Sequence, residues 1–273
     1  MLVIGVVASI VLTAITLLMD WFPEPASTAA DDIDFLYDLL LVASVPIFVL
    51  VMTIAIYSVI TFRARPGDQR DGEPIHGNTR LEILWVTIPF LIVSLLAGYA
   101  WIVLDDIEAK QPNEVDIKVV GQQFTWYFGY PRPEGGEGYI WSRELVLPKG
   151  QPVKFEIEAD DVIHSFWVPE FRLKQDAVPG IDTEVRVTPD RNGRYSVVCA
   201  ELCGIGHATM RNNVQVLDRA AYDAWFAKLR REPAPPPPGR ESEAQSRGGD
   251  AQGPPGGQGP GEATQEQQEQ QSE

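Results

Sequence analysis

Long apolar stretches alternate with charged segments in the first part of the chain. Residues 1–19 contain no charged side chain, and residues 39–62 and 83–104 form two further uncharged runs. Each of the last two runs is long enough to cross a bilayer as a helix of roughly 20 residues. Two uncharged runs of this length are unusual in a soluble helical hairpin. The pattern therefore predicts a membrane-anchored protein with a two-helix transmembrane hairpin over residues 31–107.

The first apolar run lies in residues 1–30 and allows two interpretations. Asp20, the prolines after it and the small residues at 26–30 are typical of a junction that is removed, so a cleaved signal peptide is favoured. The run lacks the basic start of a signal peptide, which keeps a retained third span as the alternative. Both interpretations give the same topology for the two later spans.

The middle of the chain changes to a period of two. Residues Val153–Glu158 and Glu184–Thr188 alternate apolar and polar side chains, and Pro, Gly and Asp separate such runs. This pattern predicts strands, and strands at this spacing predict an all-β sandwich over residues 113–217. Asp218 is a suitable N-cap for a C-terminal helix over residues 218–232.

The last part of the chain has a different composition. From residue 233 onward Pro, Gly, Gln and Glu dominate, and such a composition cannot pack a core. Residues 233–273 are therefore predicted to form a disordered tail.

Charge indicates orientation and partners. The segment between the two spans is rich in arginine, which places it in the cytoplasm by the positive-inside rule. The sandwich domain then lies on the outer face of a bacterial-type plasma membrane. The formal net charge of the chain is −16, which suits a basic protein partner and gives no reason to expect nucleic acid.

The strongest chemical feature is the segment from Cys199 to Met210. It holds both cysteines of the chain, Cys199 and Cys203, together with His207 and Met210, and Glu201 lies between the cysteines. Thiolate and thioether are soft ligands and imidazole is borderline, so this set suits copper better than calcium or magnesium.

Three alternatives to a copper loop fit this segment less well. A disulfide between residues four apart is geometrically awkward and leaves the His and Met unexplained. One helical face would align the four side chains, but Gly204 and Gly206 are costly inside a helix. Structural zinc rarely takes a Met ligand.

His164 supplies a further ligand from an upstream strand. Single-copper electron-transfer sites use one Cys, two His and a weak axial Met. Because this chain offers a second Cys, two copper ions can share the thiolates as bridges. Each copper then holds one His, with Met210 and the carbonyl of Glu201 as weak axial ligands.

These features resemble subunit II of the haem-copper cytochrome c oxidases, with its binuclear copper A centre. The resemblance covers roughly residues 31–217. Besides the Cys199–Met210 loop, the segments that carry it are His76–Pro89, Gly121–Phe128, Val162–Phe166 and Leu173–Gly180. It implies a cupredoxin-like Greek-key sandwich behind the two-helix hairpin.

The resemblance also implies a function. The chain would accept electrons from cytochrome c at copper A and pass them to a haem in subunit I, where oxygen is reduced and protons are translocated. Subunits I and III, cytochrome c and the lipid bilayer are the implied partners. No Cys-x-x-Cys-His motif occurs, so we expect no haem in this chain.

Several other residues take roles from the same resemblance. Glu201 would also hold a magnesium ion shared with subunit I, since a hard ion prefers oxygen. Glu82 matches the mouth of a proton path, although an acid at a span end can simply face water. Phe124, where many relatives have Trp, and Trp126 are the candidates for electron entry. Asp176 would contact subunit I. Independently of the resemblance, Asp160 and Asp161 lie next to His164 in the sequence, and their charge makes them candidates for docking a basic electron donor.

Other functional classes are less consistent with the sequence. A membrane-anchored copper carrier or chaperone would need the same ligands, but it would not need Glu82 or the long match over residues 162–180. A nitrous oxide reductase would need a large additional domain. Quinol-oxidising relatives lack the Cys pair.

Overall fold

The computed structural model describes residues 2–64, 66, 67, 74, 76–133 and 136–240. Its helices are α1 (Leu2–Leu17), α2 (Ala30–Thr61), α3 (Thr79–Glu108) and α4 (Arg219–Arg231). Helices α2 and α3 contain the two apolar runs and are long and apolar enough to cross a membrane. Part of the segment between them, and the predicted tail beyond residue 240, lie outside the described residues.

The ends of the two long helices follow from local sequence. Asp31 and Asp32 occupy the first turn of α2, where negative charge interacts favourably with the helix dipole. Asn78 caps α3, because its side-chain oxygen accepts from the backbone N–H groups of Arg80 and Leu81 at 3.1 and 3.2 Å. Each helix also contains one proline, which membrane-spanning helices tolerate.

Ten strands follow α3 and form two five-stranded sheets. They are β1 (Val115–Gln122), β2 (Thr125–Pro131), β3 (Tyr139–Ser142), β4 (Leu145–Pro148), β5 (Val153–Ala159), β6 (His164–Val168), β7 (Leu173–Ala177), β8 (Thr183–Val187), β9 (Gly193–Cys199) and β10 (Arg211–Leu217). The first sheet has the order β3-β2-β1-β5-β8 and the second β4-β10-β9-β6-β7. Pro169–Phe171 and His207–Thr209 form short 3-10 turns in the connections between strands.

The alternation of side chains creates the core between the sheets. Along β5 every second residue, beginning with Val153, is buried, as the period of two predicts. Trp126 and Phe155 from the first sheet meet Phe166 from the second, with ring centroids 5.6 and 5.3 Å apart. A hairpin of apolar helices followed by a two-sheet β-sandwich confirms the predicted fold class.

The segment between α1 and α2 is built into the sandwich. Ala26 is fully buried, and its N–H donates to the carbonyl of Glu170 at 2.9 Å. Ser27 forms an isolated antiparallel bridge with Pro189, and its hydroxyl donates to the carbonyl of Phe171 at 3.0 Å. Residues 22–28, the entry segment, therefore pair with the edge of the sandwich and fill part of its interior.

An ion pair joins the sandwich to the start of α2. The guanidinium of Arg172 donates to both carboxylate oxygens of Asp34, at 2.7 and 2.9 Å, and to the carbonyl of Pro23 at 2.7 Å. It also lies 4.9 Å from the centre of the Phe22 ring. The Arg172 side chain is only 4% exposed, so this contact ties the helix hairpin to the domain.

Candidate metal centre

Strand pairing brings the upstream histidine to the cysteine loop. Strand β6 pairs with β9 so that Phe166 lies opposite Cys199, and the N–H of Ala200 donates to the carbonyl of Ser165 at 2.9 Å. His164 opens β6, and Cys199 closes β9. Both ligands therefore project from the same end of the second sheet, although 35 positions separate them in the chain.

The loop after β9 returns directly to β10. The N–H of Cys199 donates to the carbonyl of Met210 at 3.2 Å, which closes the base of the loop. Gly204 lies in the left-handed region at φ +131°, a conformation that side chains with a Cβ rarely adopt. The loop folds back on itself at this glycine and turns Cys203 and His207 toward Cys199.

The predicted donor atoms form a tight cluster around the two thiols. Cys199 Sγ lies 3.9 Å from Cys203 Sγ and 3.2 Å from the carbonyl oxygen of Glu201. His164 Nδ1 lies 3.9 Å from Cys199 Sγ, and His207 Nδ1 lies 3.7 Å from Cys203 Sγ.

Met210 completes the cluster, with its Sδ atom 3.8 Å from Cys203 Sγ. His164, Cys199 and Cys203 alone place three ligand atoms within 4.8 Å of one another. The arrangement pairs each thiol with a different imidazole.

Most of the cluster is shielded from water, although His207 is partly exposed. His164 and Met210 are fully buried, and Cys199 and Cys203 are 8% and 3% exposed. Burial, and then the proximity of Cys199, raise the pKa of Cys203 to about 11. The Cys203 thiol is therefore protonated at neutral pH without a metal. A metal that binds here displaces its proton, because the thiolate is the ligand form.

A carboxylate orients the buried histidine. Asp161 Oδ1 lies 2.8 Å from His164 Nε2, on the side of the ring away from Cys199. Burial by itself would raise the pKa of Asp161, but hydrogen bonds from the N–H of Gln123, from His164 and from the N–H of Val162 lower it overall. An ionised Asp161 holds the proton on Nε2, which leaves the Nδ1 lone pair for a metal.

The turn between β1 and β2 supports the cluster from outside. The side-chain amide of Gln123 donates to the carbonyl of Cys203 at 2.6 Å, and its backbone N–H donates to Asp161 at 2.7 Å. Gly121 lies against the His164 ring, and a Cβ there would approach His164 Cδ2 at 3.0 Å. No signal in the sequence identifies Gln123, since only the fold brings it to the loop.

The two aromatic candidates for electron entry lie in different environments. Trp126 is fully buried, with its ring 5.9 Å from that of His164. Phe124 is partly buried and packs on the loop, so closely that a Cβ on Gly206 would overlap its ring. Phe124 therefore lies between solvent and the cluster, whereas Trp126 lies behind it.

The acidic residues with predicted functional roles have different surroundings. Glu201 is exposed, and Asp160 is ion-paired with Arg240. The carboxylate of Asp176 accepts from the hydroxyl of Ser165 at 2.7 Å, next to the ligand His164.

Glu82 lies at the far end of α3, away from the cluster. Its carboxylate accepts from the N–H of Asn78 at 3.2 Å and so helps to cap the helix.

The donor set fits copper. Two thiols, two imidazoles, a thioether and a carbonyl offer the soft and borderline ligands that copper prefers, and they offer no carboxylate cage for a hard ion. The Asp161 carboxylate contacts His164 on Nε2, the ring nitrogen that faces away from the thiols.

Comparisons with known proteins agree with this chemistry. A family model described as cytochrome C oxidase subunit II, periplasmic domain, matches residues 139–217. A second, described as cytochrome C oxidase subunit II, transmembrane domain, matches residues 14–103. Between them they cover the helix hairpin and the cluster.

Whole relatives give the same result. The cytochrome c oxidase subunit 2 of Synechocystis sp. is 32% identical over 279 residues, covering 82% of this chain and 82% of the relative. That of Thermostichus vulcanus is 34% identical over 257 residues, covering 74% and 76%. A solved periplasmic domain of cytochrome oxidase subunit II from Bradyrhizobium japonicum superposes with a TM-score of 0.42 at 26% identity, covering 45% of this chain and 99% of that domain.

Proposed function

The chain belongs to the cytochrome c oxidase subunit II family, and on that premise we propose that its sandwich domain holds a binuclear copper A centre. The chain serves as the electron-transfer component of an oxidase complex. This complex is an oxidoreductase in which the oxygen chemistry lies in a partner subunit. It is anchored in a membrane and associates with other oxidase subunits. A copper carrier is not favoured, because the similarity extends through the hairpin as well as the metal loop.

One observation carries the proposal of two copper ions. The thiols of Cys199 and Cys203 are adjacent, and each has its own imidazole within 4 Å. Two metal positions that share both thiolates would each receive one histidine. Met210 and the Glu201 carbonyl lie beside the same thiols as weak donors.

The chemistry that copper would supply at this site is reversible one-electron transfer. The protein residues keep the ligands in place through the change in charge. His164 is held between Asp161 and the thiols, and the Gln123 amide fixes the Cys203 carbonyl. A rigid and largely buried ligand set suits fast electron transfer, because little has to move when the charge changes.

Cytochrome c is the electron donor that we propose, with Phe124 as the entry aromatic. Phe124 is partly exposed and contacts the loop, whereas Trp126 is buried behind His164. The electron would leave toward a haem of subunit I. We further propose a shared magnesium ion at Glu201, whose exposed carboxylate is available to ligands from a partner.

The remaining roles concern topology and contacts. The arginine-rich segment between the spans supports a cytoplasmic position for that loop and an outer position for the domain. Glu82, at the cytoplasmic end of α3, would lie at the mouth of a proton path. Asp176, exposed beside Ser165, is our candidate for contact with subunit I, and subunit III completes the proposed set of partners.

Copper stoichiometry tests the central proposal. The purified oxidase should contain two copper ions in this subunit and give an electron-resonance signal shared by two copper nuclei. Cys199→Ser and His164→Ala should abolish that signal. His76→Ala is the matched control, because His76 is the histidine of this chain outside the cluster. One copper ion per subunit, or none, would refute the binuclear centre.

A further inference from the structure

The chain after α4 turns back across the first sheet. The N–H of Ala234 donates to the carbonyl of Trp141, on edge strand β3, at 2.9 Å. Four residues later the carbonyl of Pro238 accepts from the side-chain amide of Gln122, at the end of β1, at 3.4 Å. Residues 233–240, the strap, therefore cross the sheet from its edge toward the end of β1.

An apolar patch lies beneath the path of the strap. Val120, Tyr127 and Trp141 form a small cluster separate from the core, and they are at most 5% exposed. Pro237 of the strap is buried as well. Five of the eight strap residues are proline, and a proline-rich segment is a semi-rigid spacer. The strap is thus a stiff element whose two ends are both fixed on the domain.

Arg240 anchors the far end of the strap with two carboxylates. Its Nη1 lies 2.6 Å from Glu158, and its Nε donates to Asp160 at 2.9 Å. The side chains of Arg240, Glu158 and Asp160 are only 16–18% exposed. The N–H of Asp160 also donates to the carbonyl of Gly121 at 3.2 Å. The anchor therefore holds the chain that leaves β5 against the end of β1.

A first route leads from this anchor to the histidine ligand. Asp160, which Arg240 holds, is followed directly by Asp161, whose carboxylate lies 2.8 Å from Nε2 of His164. The orientation of the His164 ring depends on where that carboxylate lies. The contact of Arg240 with Asp160 therefore restricts the movement of the segment that orients His164.

A second route leads to the cysteine loop. Gln122, which contacts the strap, also donates to the carboxylate of Asp160 at 3.2 Å. The next residue, Gln123, donates from its side chain to the carbonyl of Cys203 at 2.6 Å and from its backbone N–H to Asp161 at 2.7 Å. The two routes meet at Asp161, so the strap supports both halves of the donor cluster.

We propose that the strap is an outer clamp on the metal centre, with Arg240 as a positioning residue for His164 and Cys203. Each strap contact lies one residue away from a contact to a ligand. Release of the strap would therefore leave every donor atom in the chain but let the ligands move more. The inference rests on the proposed function, because that function supplies the metal centre that the clamp holds.

Amide hydrogen exchange tests the clamp in the metal-free full chain. The backbone N–H of Gln123 is bound to Asp161 and reports whether the supporting turn stays in place. Arg240→Gln should speed its exchange by roughly 10-fold relative to the central amides of β9, because local opening no longer has to break charged hydrogen bonds. Arg240→Lys should restore part of the protection, since an ammonium keeps the charge but not the planar fork.

Tyr130→Phe is the control for a general loss of stability. The Tyr130 hydroxyl donates to the carbonyl of Val146 at 3.0 Å and accepts from its N–H at 2.7 Å, at the end of β2 away from the metal loop. Phenylalanine leaves both buried backbone groups without this partner and so destabilises the domain. It should not speed the exchange of Gln123 relative to the amides of β9.

Copper retention tests the same clamp in the loaded oxidase. Arg240→Gln should release copper to a chelator roughly 2- to 5-fold faster, below the tenfold minimum for a direct partner of a ligand such as Asp161. A wider spread of ligand positions should also broaden the electron-resonance signal. Tyr130→Phe should leave the shape of that signal unchanged, and so should Arg230→Gln, which removes a charge from the exposed end of α4.

Two shortened chains separate the strap from the sequence beyond it. A chain that ends after Glu232 lacks the strap, and a chain that ends after Ser242 keeps it. The first should reproduce both effects of Arg240→Gln, whereas the second should match the wild type in amide exchange and in copper release.

The outcomes distinguish this inference from the proposed function. A wild-type oxidase without two copper ions in this subunit would refute the proposed centre, while the exchange of the metal-free chain would still test the clamp. Unchanged exchange at Gln123 in Arg240→Gln and in the chain that ends after Glu232 would overturn the clamp. Equal acceleration at Gln123 and in β9 would overturn it too, since the strap would then only stabilise the fold. So would faster exchange at Gln123 with wild-type copper release and an unchanged signal.

Discussion

The Asp161 carboxylate lies 2.8 Å from Nε2 of His164, while Nδ1 of the same ring faces Cys199 Sγ. The ring is therefore held at both ends, by a carboxylate on one side and by the ligand cluster on the other. The sequence suggests a docking role for Asp161 on the surface. Its contacts indicate that it fixes the tautomer and orientation of a metal ligand.

Asp161→Asn should weaken copper binding by about 10- to 100-fold, the usual cost of losing a partner of a metal-bound histidine. An amide is a weaker acceptor than a carboxylate and no longer favours the proton on Nε2. Copper affinity can be measured by competition with a chelator. Asp160→Asn is the control, with the same charge change one residue away. Equal affinities for the two variants would contradict the orienting role.

Gly206→Ala should destabilise the domain by about 1–3 kcal/mol, because the added methyl group would overlap the Phe124 ring. The backbone itself tolerates alanine, since φ of Gly206 is −93°. Phe124→Ala in the same chain should remove most of this cost. Denaturant unfolding of the two single variants and the double variant measures the coupling. Additive effects would show that the ring and the loop are not in contact.

Glu82→Gln separates a proton role from a structural one. Glutamine can still accept from the Asn78 N–H and keep the helix cap, but it cannot carry a proton as a carboxylate does. We expect slower proton uptake by the oxidase with unchanged copper content and unchanged stability. Glu82→Ala should in addition lose roughly 0.5–1.5 kcal/mol, the usual net contribution of one hydrogen bond. If the Glu82→Gln oxidase turned over at the wild-type rate, the proton role would be contradicted and Glu82 would retain only its helix-capping role.

The metal loop can be predicted because most of its ligands are local in sequence. Cys199, Cys203, His207 and Met210 lie within twelve residues, so ligand chemistry alone indicates copper. His164 is distant in the chain, and the β6–β9 pairing explains its position beside them. The two long helices and the strands can be predicted as well. The helices appear in the sequence as uncharged apolar runs, and the strands appear as an alternation of apolar and polar side chains that reflects their burial on one face.

Contacts between distant segments cannot be predicted in this way. The Pro-rich composition after residue 232 indicates only a lack of core, whereas residues 233–240 dock through carbonyls and carboxylates of other strands. In the entry segment, small residues favour a cleavage site. Two of those same residues, Ala26 and Ser27, fit closely into the sandwich. The local amino-acid composition does not show which part of the folded domain a segment will contact.

The entry segment gives a prediction about processing. Residues 22–28 fill part of the domain, and Asp190 and Thr188 use their backbone groups to bond Ala26 and Thr28. A cleavage after residue 30 would remove these contacts from the mature protein. We therefore expect any leader to end before Phe22, and the intact mass of the purified subunit measures this directly. A mature chain that begins at Asp31 would contradict the prediction.

Arg240, at the end of residues 233–240, forms ion pairs with Glu158 and Asp160, and the contribution of these pairs to stability should depend on pH. Burial alone would raise the pKa of Glu158, but its hydrogen bonds from Lys118 and Arg240 lower the pKa below the ordinary 4.5. A group whose pKa is lowered by folding stabilises the protein fully above its unfolded value. That stabilisation is lost as the pH falls through the folded value. Arg240→Gln should thus cost about 1.5–3 kcal/mol at pH 7, the range for hydrogen bonds to charged groups.

The cost should shrink as the pH falls below 4.5, because Glu158 of the unfolded chain then takes up a proton, and it should be lost once the pH passes the lowered pKa of Glu158 in the folded protein. Urea unfolding of the metal-free chain at several pH values, followed by tryptophan fluorescence, measures the difference between wild type and variant. Arg230→Gln should show no comparable dependence, since Arg230 is exposed and lies outside this ion-pair cluster. A difference between wild type and Arg240→Gln that is the same at pH 7 and at pH 3.5 would mean that residues 233–240 are held by their prolines and backbone contacts rather than by the charge of Glu158.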